Sequence, residues 1–254
     1  VMEVTPLELS IDPEGGNKTF TVKSNKDWTL VADKWITAST TGEKGSDVSV
    51  TVNLIAGKNS SNETRTGYVI ISAGGQKETV TVTQEPFVAP AGIYNSSDLV
   101  DFAAALKEDE PDLSKWTSED GVIRLYDDID ATSLSCFPME SLPKDVVLDG
   151  QEHTINLTLS LAPDAKIGMF KEIFGTVRNL SLAGSLKVEG EFTKESHIGA
   201  LAGEAKGATI ENCKNYVSVT VNQTSGSAVC IIPAGLIGKA TQGLTMTGCV
   251  NNAE

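Results

Sequence analysis

From Val4 to Val82 apolar and polar side chains alternate in short runs, the period of half-buried strands and not of helices. Leu7-Leu9-Ile11, Phe20-Val22, Trp28-Leu30, Val48-Val50-Val52-Leu54, Val69-Ile71 and Val80-Val82 each place every second side chain on one face. Turn residues separate them: Pro13-Glu14-Gly15-Gly16, Thr41-Gly42-Glu43-Lys44-Gly45, Gly57-Lys58-Asn59-Ser60-Ser61-Asn62 and Gly74-Gly75. With a short Trp35-Ile36 stretch the pattern predicts about seven strands, enough for an immunoglobulin-like β-sandwich over residues 1–86.

Beyond it the period changes. Pro86, Pro90 and Gly92 mark a stiff linker over 87–93 that cannot continue a sheet. Ser96 and Ser97 are N-cap candidates, Asp98 and Asp101 suit a helix N-terminus, and Leu99, Phe102, Ala103 and Leu106 recur at helical spacing. This predicts one amphipathic helix over 97–108.

Residues 198–254 then state one phrase twice. Gly199-Ala200-Leu201-Ala202-Gly203 followed by Gly207 to Asn215 returns as Ala234-Gly235-Leu236-Ile237-Gly238 followed by Gly243 to Asn251, and a weaker copy begins at Ile167-Gly168-Met169-Phe170. Matching positions recur after 32–33 and then 35–36 residues. Such a period belongs to a chain that coils on itself and stacks equivalent segments. Asn179, Asn212, Asn215 and Asn251 are expected at turns, their amides bonding the next coil. The helix is expected to cap the open end of the stack.

Charge sharpens this picture. The net charge of −14 divides into −3 over residues 1–90, −11 over 91–166 and zero over 167–254. An acidic surface without a Lys/Arg stripe argues against nucleic acid and anionic lipid as partners. No apolar run is long enough to span a membrane, and no signal peptide opens the chain, which therefore reads as a mature or trimmed product. Its close just after a repeat phrase suggests a natural protein that continues past Glu254.

Chemistry is sparse. Cys136, Cys213, Cys230 and Cys249 lack zinc-ligand spacing, and His153 and His197 lie apart from them, so neither metal nor other cofactor is expected. Cys213 and Cys249 occupy equivalent repeat positions and are expected to stack as buried free thiols, a cystine being the alternative. Asp127, Asp128 and Asp130 could form a carboxylate cluster for glycoside or lyase chemistry, but they also suit an ordinary turn. No catalytic residue is assigned. Sugar binding requires aromatic rings, and the candidates are Trp28, Trp35 and Trp116, with core packing competing at the first two and packing on the adjacent coil at the third.

Two resemblances add to these readings. Gly15-Gly16, Val22 to Ser24-Asn25 with Trp28, Trp35-Ile36, Gly42, Arg65-Thr66-Gly67 with Tyr68 to Ile71, and Val80-Thr81-Val82-Thr83-Gln84 together resemble a BACON domain over residues 3–85. From Tyr94 onward, Leu125-Tyr126-Asp127-Asp128-Ile129-Asp130, Asp149-Gly150-Gln151-Glu152-His153-Thr154-Ile155 and the three Gly phrases resemble GLUG-like surface proteins, with Lys171 standing where a glycine is usual. The resemblances imply an all-β protein: a sandwich, then a right-handed parallel β-helix over 94–254 with a capping helix. They also imply a cell-surface or secreted protein of gut anaerobes, held as an outer-membrane lipoprotein. The expected function is non-catalytic adhesion or glycan binding by a monomer, with glycans or host and extracellular surface molecules as partners. A polysaccharide-degrading enzyme and a structural spacer are the alternatives.

Overall fold

A computed structural model of the chain describes residues 1–224 and 230–253. Among the described residues strands dominate and one helix interrupts them; the chain divides into two compact units, Val1–Ala89 and Pro90–Glu254, each with its own apolar core.

The first unit contains β1 (Met2–Thr5), β2 (Glu8–Ile11), β3 (Gly15–Ser24), β4 (Trp28–Ala32), β5 (Thr37–Ala38), β6 (Gly42–Glu43), β7 (Ser49–Gly57), β8 (Arg65–Ala73) and β9 (Gln76–Gln84). They form two sheets, ordered β1-β3-β7-β5 and β2-β9-β8-β4-β6. Phe20, Val22, Val52 and Leu54 of the first sheet share a core with Leu30, Val69, Ile71, Val80 and Val82 of the second. Alternation decides this: on β8 Gly67, Val69 and Ile71 point inward while Tyr68 and Ile70 point out. The number of strands exceeds the expected seven because β1 and the two-residue β6 had no counterpart in the pattern, while the short strand expected at Trp35-Ile36 is β5, two residues on. Leu7 departs from the expected inward row and is exposed, because it lies in the crossover from β1 in one sheet to β2 in the other.

A buried polar network closes one end of this unit. Arg65 donates to Gln84 Oε1 through Nε at 2.8 Å and Nη2 at 2.6 Å, and to the Gly57 carbonyl at 2.8 Å. Gln84 donates to the carbonyls of Asp12 and Gly57. Asn59 donates to those of Glu63, Gln84 and Glu85. Gln84 and Asn59 are buried, so each amide ties several chain segments together, and Asn59 satisfies the buried Gln84 carbonyl.

The second unit opens with α1 (Ser96–Ala105). Its N-cap is Asn95, not the serines: the Asn95 side chain accepts from the backbone N–H groups of Ser97 and Asp98. Leu99, Phe102, Ala103 and Leu106 are buried in the same core as the strands that follow, so the helix covers apolar side chains of the first coil. The helical pattern stops at Ala105 because the chain turns before the acidic run Glu108-Asp109-Glu110.

Among the described residues the strands beyond it pair with one another in parallel, in four sheets. One contains Val122–Arg124, Val147–Asp149, Thr176–Arg178, Thr209–Glu211 and Thr245–Thr247. A second contains Ile129–Ala131, Thr154–Leu161, Ser181–Gly190, Lys214–Gln223 and Val250–Asn251. A third holds Met139–Leu142, Phe170–Ile173, Ala202–Lys206 and Ile237–Thr241, and a fourth Lys166–Ile167, Ser196–Ile198 and Ile231–Pro233. Val177 pairs with Ile210 and Ile210 with Met246, steps of 33 and 36 residues that match the sequence period. The chain therefore passes through equivalent strands in turn and lays each coil on the last.

Side chains at equivalent positions stack. Leu148, Val177 and Ile210 form a buried ladder. Asn179 and Asn212 both adopt φ of 51°, and Gly248 takes the same corner at 65°. Asn212 donates to Asn179 Oδ1 and Asn179 to Asp149 Oδ1, bonding coil to coil as expected. Asn215 and Asn251 differ from the expectation: they lie on strands, and the fully buried Asn215 amide donates to Asn251 Oδ1 at 2.7 Å. Cys213 and Cys249 are free thiols. Burial raises the Cys213 thiol to about 12.

Two outcomes test these assignments. Asn59→Ala leaves three carbonyls without their donor, at a cost of about 1–3 kcal/mol. Hydrogen exchange of the Val80 and Val82 amides is expected to lose about one to two powers of ten of protection, and unchanged protection would remove the network's role. Treating the native chain with a maleimide at about pH 8, followed by peptide mass spectrometry, is expected to label the exposed Cys230 first and leave Cys213 unmodified.

Candidate functional site

Two of the three tryptophans are core residues. Trp28 is 3% exposed and alternates inward with Leu30, and Trp116 is 4% exposed. Trp116 stands edge-on to Phe102 with ring centroids 5.5 Å apart, packed beneath α1. Of the two readings open for this ring, packing and sugar stacking, the structure has the first: residues 113–117 turn and set it against the helix. Neither ring offers a free face to a sugar.

Trp35 is half-buried. The Arg65 guanidinium lies 4.2 Å from its ring centroid, and a Cβ at Gly67 would fall 2.7 Å from the indole. Arg65 and Gly67 are two apart on β8, on its inner side, so the absence of a side chain at 67 makes room for the ring and the arginine holds it. Trp35 thus joins the polar network at that end of the unit.

An aromatic passed over in the choice of tryptophans stands on the outer face of the second sheet. Tyr68 is 49% exposed, and its hydroxyl meets no protein partner among the described residues. Its register partner on β9 is Thr81, whose partner on β2 is Glu8. On its other side Asp33 donates its backbone N–H to the Tyr68 carbonyl and accepts the Tyr68 N–H through Oδ2 at 2.9 Å. A row of carboxylate, hydroxyl, aromatic ring and carboxylate therefore crosses neighbouring strands. Ser10, Thr83 and Thr66 form the row on one side, and Thr79, Ile70 and Val31 the row on the other. On the neighbouring strands β2 and β9 an open depression of about 440 Å³ is lined by Glu8, Leu9, Ser10, Thr81 and Thr83. The inward alternation of Gly67, Val69 and Ile71 was the sequence signal for this outward ring.

The aspartates of the first coil are tied into turns. Asp127 Oδ1 accepts from the Asp128 N–H, Asp128 Oδ1 from the Thr154 N–H at 2.7 Å, and Asp130 Oδ1 from the Thr132 N–H and hydroxyl. His153 Nδ1 lies 3.3 Å from Asp128 Oδ1. Among the described residues no group of three or more His, Cys, Asp or Glu side chains could hold a metal ion.

A charged cluster lies elsewhere on the coils. Glu172 and Glu204 are register partners on adjacent strands, and Lys166 Nζ bridges them, bonding Glu172 Oε1 and lying 2.8 Å from Glu204 Oε2. Thr241 donates to Glu204 Oε1 at 3.0 Å. The Lys166 hydrogen bond outweighs partial burial and holds the Glu204 carboxyl below its ordinary pKa. Burial pulls Lys166 down, but its two glutamate bonds prevail and hold it above its own. Both carboxylates bond the one ammonium, which ties adjacent coils together.

The sign of this coupling is testable. A lowered Glu204 pKa gives stability above the ordinary carboxylate range that is lost as pH falls through the lowered value; a raised Lys166 pKa gives stability lost only at high pH. Lys166→Met would leave two stacked glutamates facing each other. Its melting temperature is expected to fall below wild type at about pH 7, with the gap narrowing at roughly pH 3.5, under the ordinary glutamate value. A gap independent of pH would assign the loss to packing.

Similarity to known proteins is confined. No curated protein matches the chain. Among solved structures, a Bacteroides ovatus GH5 xyloglucanase in complex with a XXXG heptasaccharide aligns at 16% identity and TM-score 0.33, over 61% of this chain and 46% of that one. This chain thus spans less than half of the xyloglucanase. WR4, a C. elegans MSP family member, aligns at 9% identity and TM-score 0.27, over 34% of this chain and 97% of that one. A Bacteroides thetaiotaomicron protein solved by NMR aligns at 18% identity and TM-score 0.24, over 33% and 79%. No helix among the described residues is long and apolar enough to cross a membrane. Residues 9–85, nearly the whole of the first unit, match the model of the BACON family, described as "Putative binding domain, N-terminal".

Proposed function

We propose that this is a non-catalytic glycan-binding protein of the cell surface or extracellular space, in which the N-terminal unit binds carbohydrate and the coiled unit carries and displays it. One observation supports this reading above the others: a unit matched to a binding family presents an outer sheet face of ring, hydroxyls and carboxylates. Binding a sugar asks for that chemistry. A ring covers the apolar face of a pyranose, and hydroxyls and carboxylates replace the water around its hydroxyl groups. Hydrolysis asks for something else, two carboxylates facing one bond with one of them kept protonated. Glu172 and Glu204 instead both bond one shared lysine.

The second unit is read here as a right-handed parallel β-helix. Its stacked coils form a stiff rod, and its charged side chains, paired in ladders such as Glu140 with Lys171 at 2.6 Å, suit solvent exposure along its length. Adhesion through this rod and anchoring to an outer membrane extend the same reading.

A glycan array probed with the whole chain, with residues 1–89 and with residues 90–254 tests the proposal. The whole chain and the first fragment are expected to bind one set of glycans. Binding by the second fragment alone would move the function to the coils, and silence from all three would leave a scaffold.

A further inference from the structure

Resting on the glycan-binding reading, we infer that the outer face of the β2-β9-β8-β4-β6 sheet is the carbohydrate site, with Tyr68 as its stacking ring, and that its ligand is a neutral polysaccharide. Three observations meet at this face.

The first is the ring. Most aromatic side chains of this unit are committed: Phe20 and Trp28 are in the core, Trp35 is pinned between Arg65 and Gly67, and Phe87 lies under the Lys58 ammonium at 3.2 Å. Tyr68 is about half exposed and its hydroxyl has no protein partner among the described residues, so burying it under a ligand breaks no existing bond. Ile70 and Val31, register partners in the next row and 39% and 67% exposed, extend the apolar strip on which a sugar face could rest.

The second is the spacing of polar groups. Strands lie about 4.8 Å apart, so Glu8, Thr81 and Tyr68 span about 10 Å across the sheet, with Asp33 beyond. Thr81 thus offers a donor and an acceptor on one side of the ring, and the Asp33 carboxylate an acceptor on the other. The depression lined by Glu8, Ser10, Thr81 and Thr83 begins one strand from the ring and provides a recess into which a substituent or neighbouring sugar could settle.

The third is charge. Glu8 and Asp33 form no ion pair among the described residues, in contrast to most of the acids on the coils. The row holds two carboxylates and no cation. An ionised carboxylate accepts hydrogen bonds from neutral hydroxyls and repels uronate, sulfate and sialate groups, so the site selects uncharged sugars.

Affinity electrophoresis of the full chain tests this, in gels containing a neutral β-glucan, a neutral mannan, polygalacturonate or chondroitin sulfate. Retardation is expected in at least one neutral gel and in neither acidic one. Tyr68→Ala is expected to weaken that retardation by about tenfold or more in dissociation constant, Tyr68→Phe to retain most of it, and Glu8→Gln with Asp33→Asn to weaken it while admitting acidic glycans. Near-ultraviolet circular dichroism matching wild type shows that the variants fold, as substitution of exposed side chains should allow. Neutral-glycan retardation undiminished in Tyr68→Ala would overturn the site while leaving the glycan-binding reading intact. Retardation by acidic glycans alone would overturn the ligand class. No retardation of wild type in any gel, joined to a silent array, would sink both.

Discussion

Parallel backbone pairing from coil to coil is the constraint on which the larger unit depends. It places each residue about 4.8 Å from its counterpart in the next coil, so every position must tolerate its own kind as a neighbour. Apolar side chains meet this by stacking, as Leu148, Val177 and Ile210 do. Asparagine meets it because its amide is both donor and acceptor, and the Asn179–Asn212 and Asn215–Asn251 pairs use both ends. Like charges cannot meet it unaided, and Lys166 between Glu172 and Glu204 is the result.

The same constraint explains the glycines and the one exception among them. A Cβ at Gly203 would fall 2.4 Å from the Ile167 nitrogen, and one at Gly238 2.6 Å from the Ile198 nitrogen, because the strands of the fourth sheet press against these corners. That sheet has its first strand at Lys166–Ile167. Position 171 therefore has no such strand of an earlier coil behind it, and a lysine is accommodated there and paired with Glu140.

In the smaller unit the governing feature is a division of labour between the sides of one sheet. Inward residues of β8 and β9 fill the core or close its end through Arg65 and Gln84. Outward residues are released from packing and can be chosen for a ligand. That separation lets Tyr68 stand between Thr81 and Asp33 without a structural duty, whereas Trp35, bound to Arg65 and seated on Gly67, serves the fold.

Period-two alternation in the sequence determined the strands of the first unit and which side of each faces in, including the burial of Trp28 and the outward direction of Tyr68. The repeat interval determined that equivalent strands stack, and the asparagines at their corners were legible because left-handed backbone favours few residue types. Pattern alone could not tell that Asn95 caps the helix ahead of two serines, or that Trp116 turns under Phe102, since both depend on where the chain lies after folding. Nor could it assemble Glu8, Thr81, Tyr68 and Asp33. Those residues are separated by up to 73 positions in the chain and become neighbours only because β2 pairs with β9, β9 with β8, and β8 with the end of β4. Strand pairing is set by the combined burial of both sheets, and so the composition of a face, unlike the side of a strand, was decided by tertiary structure.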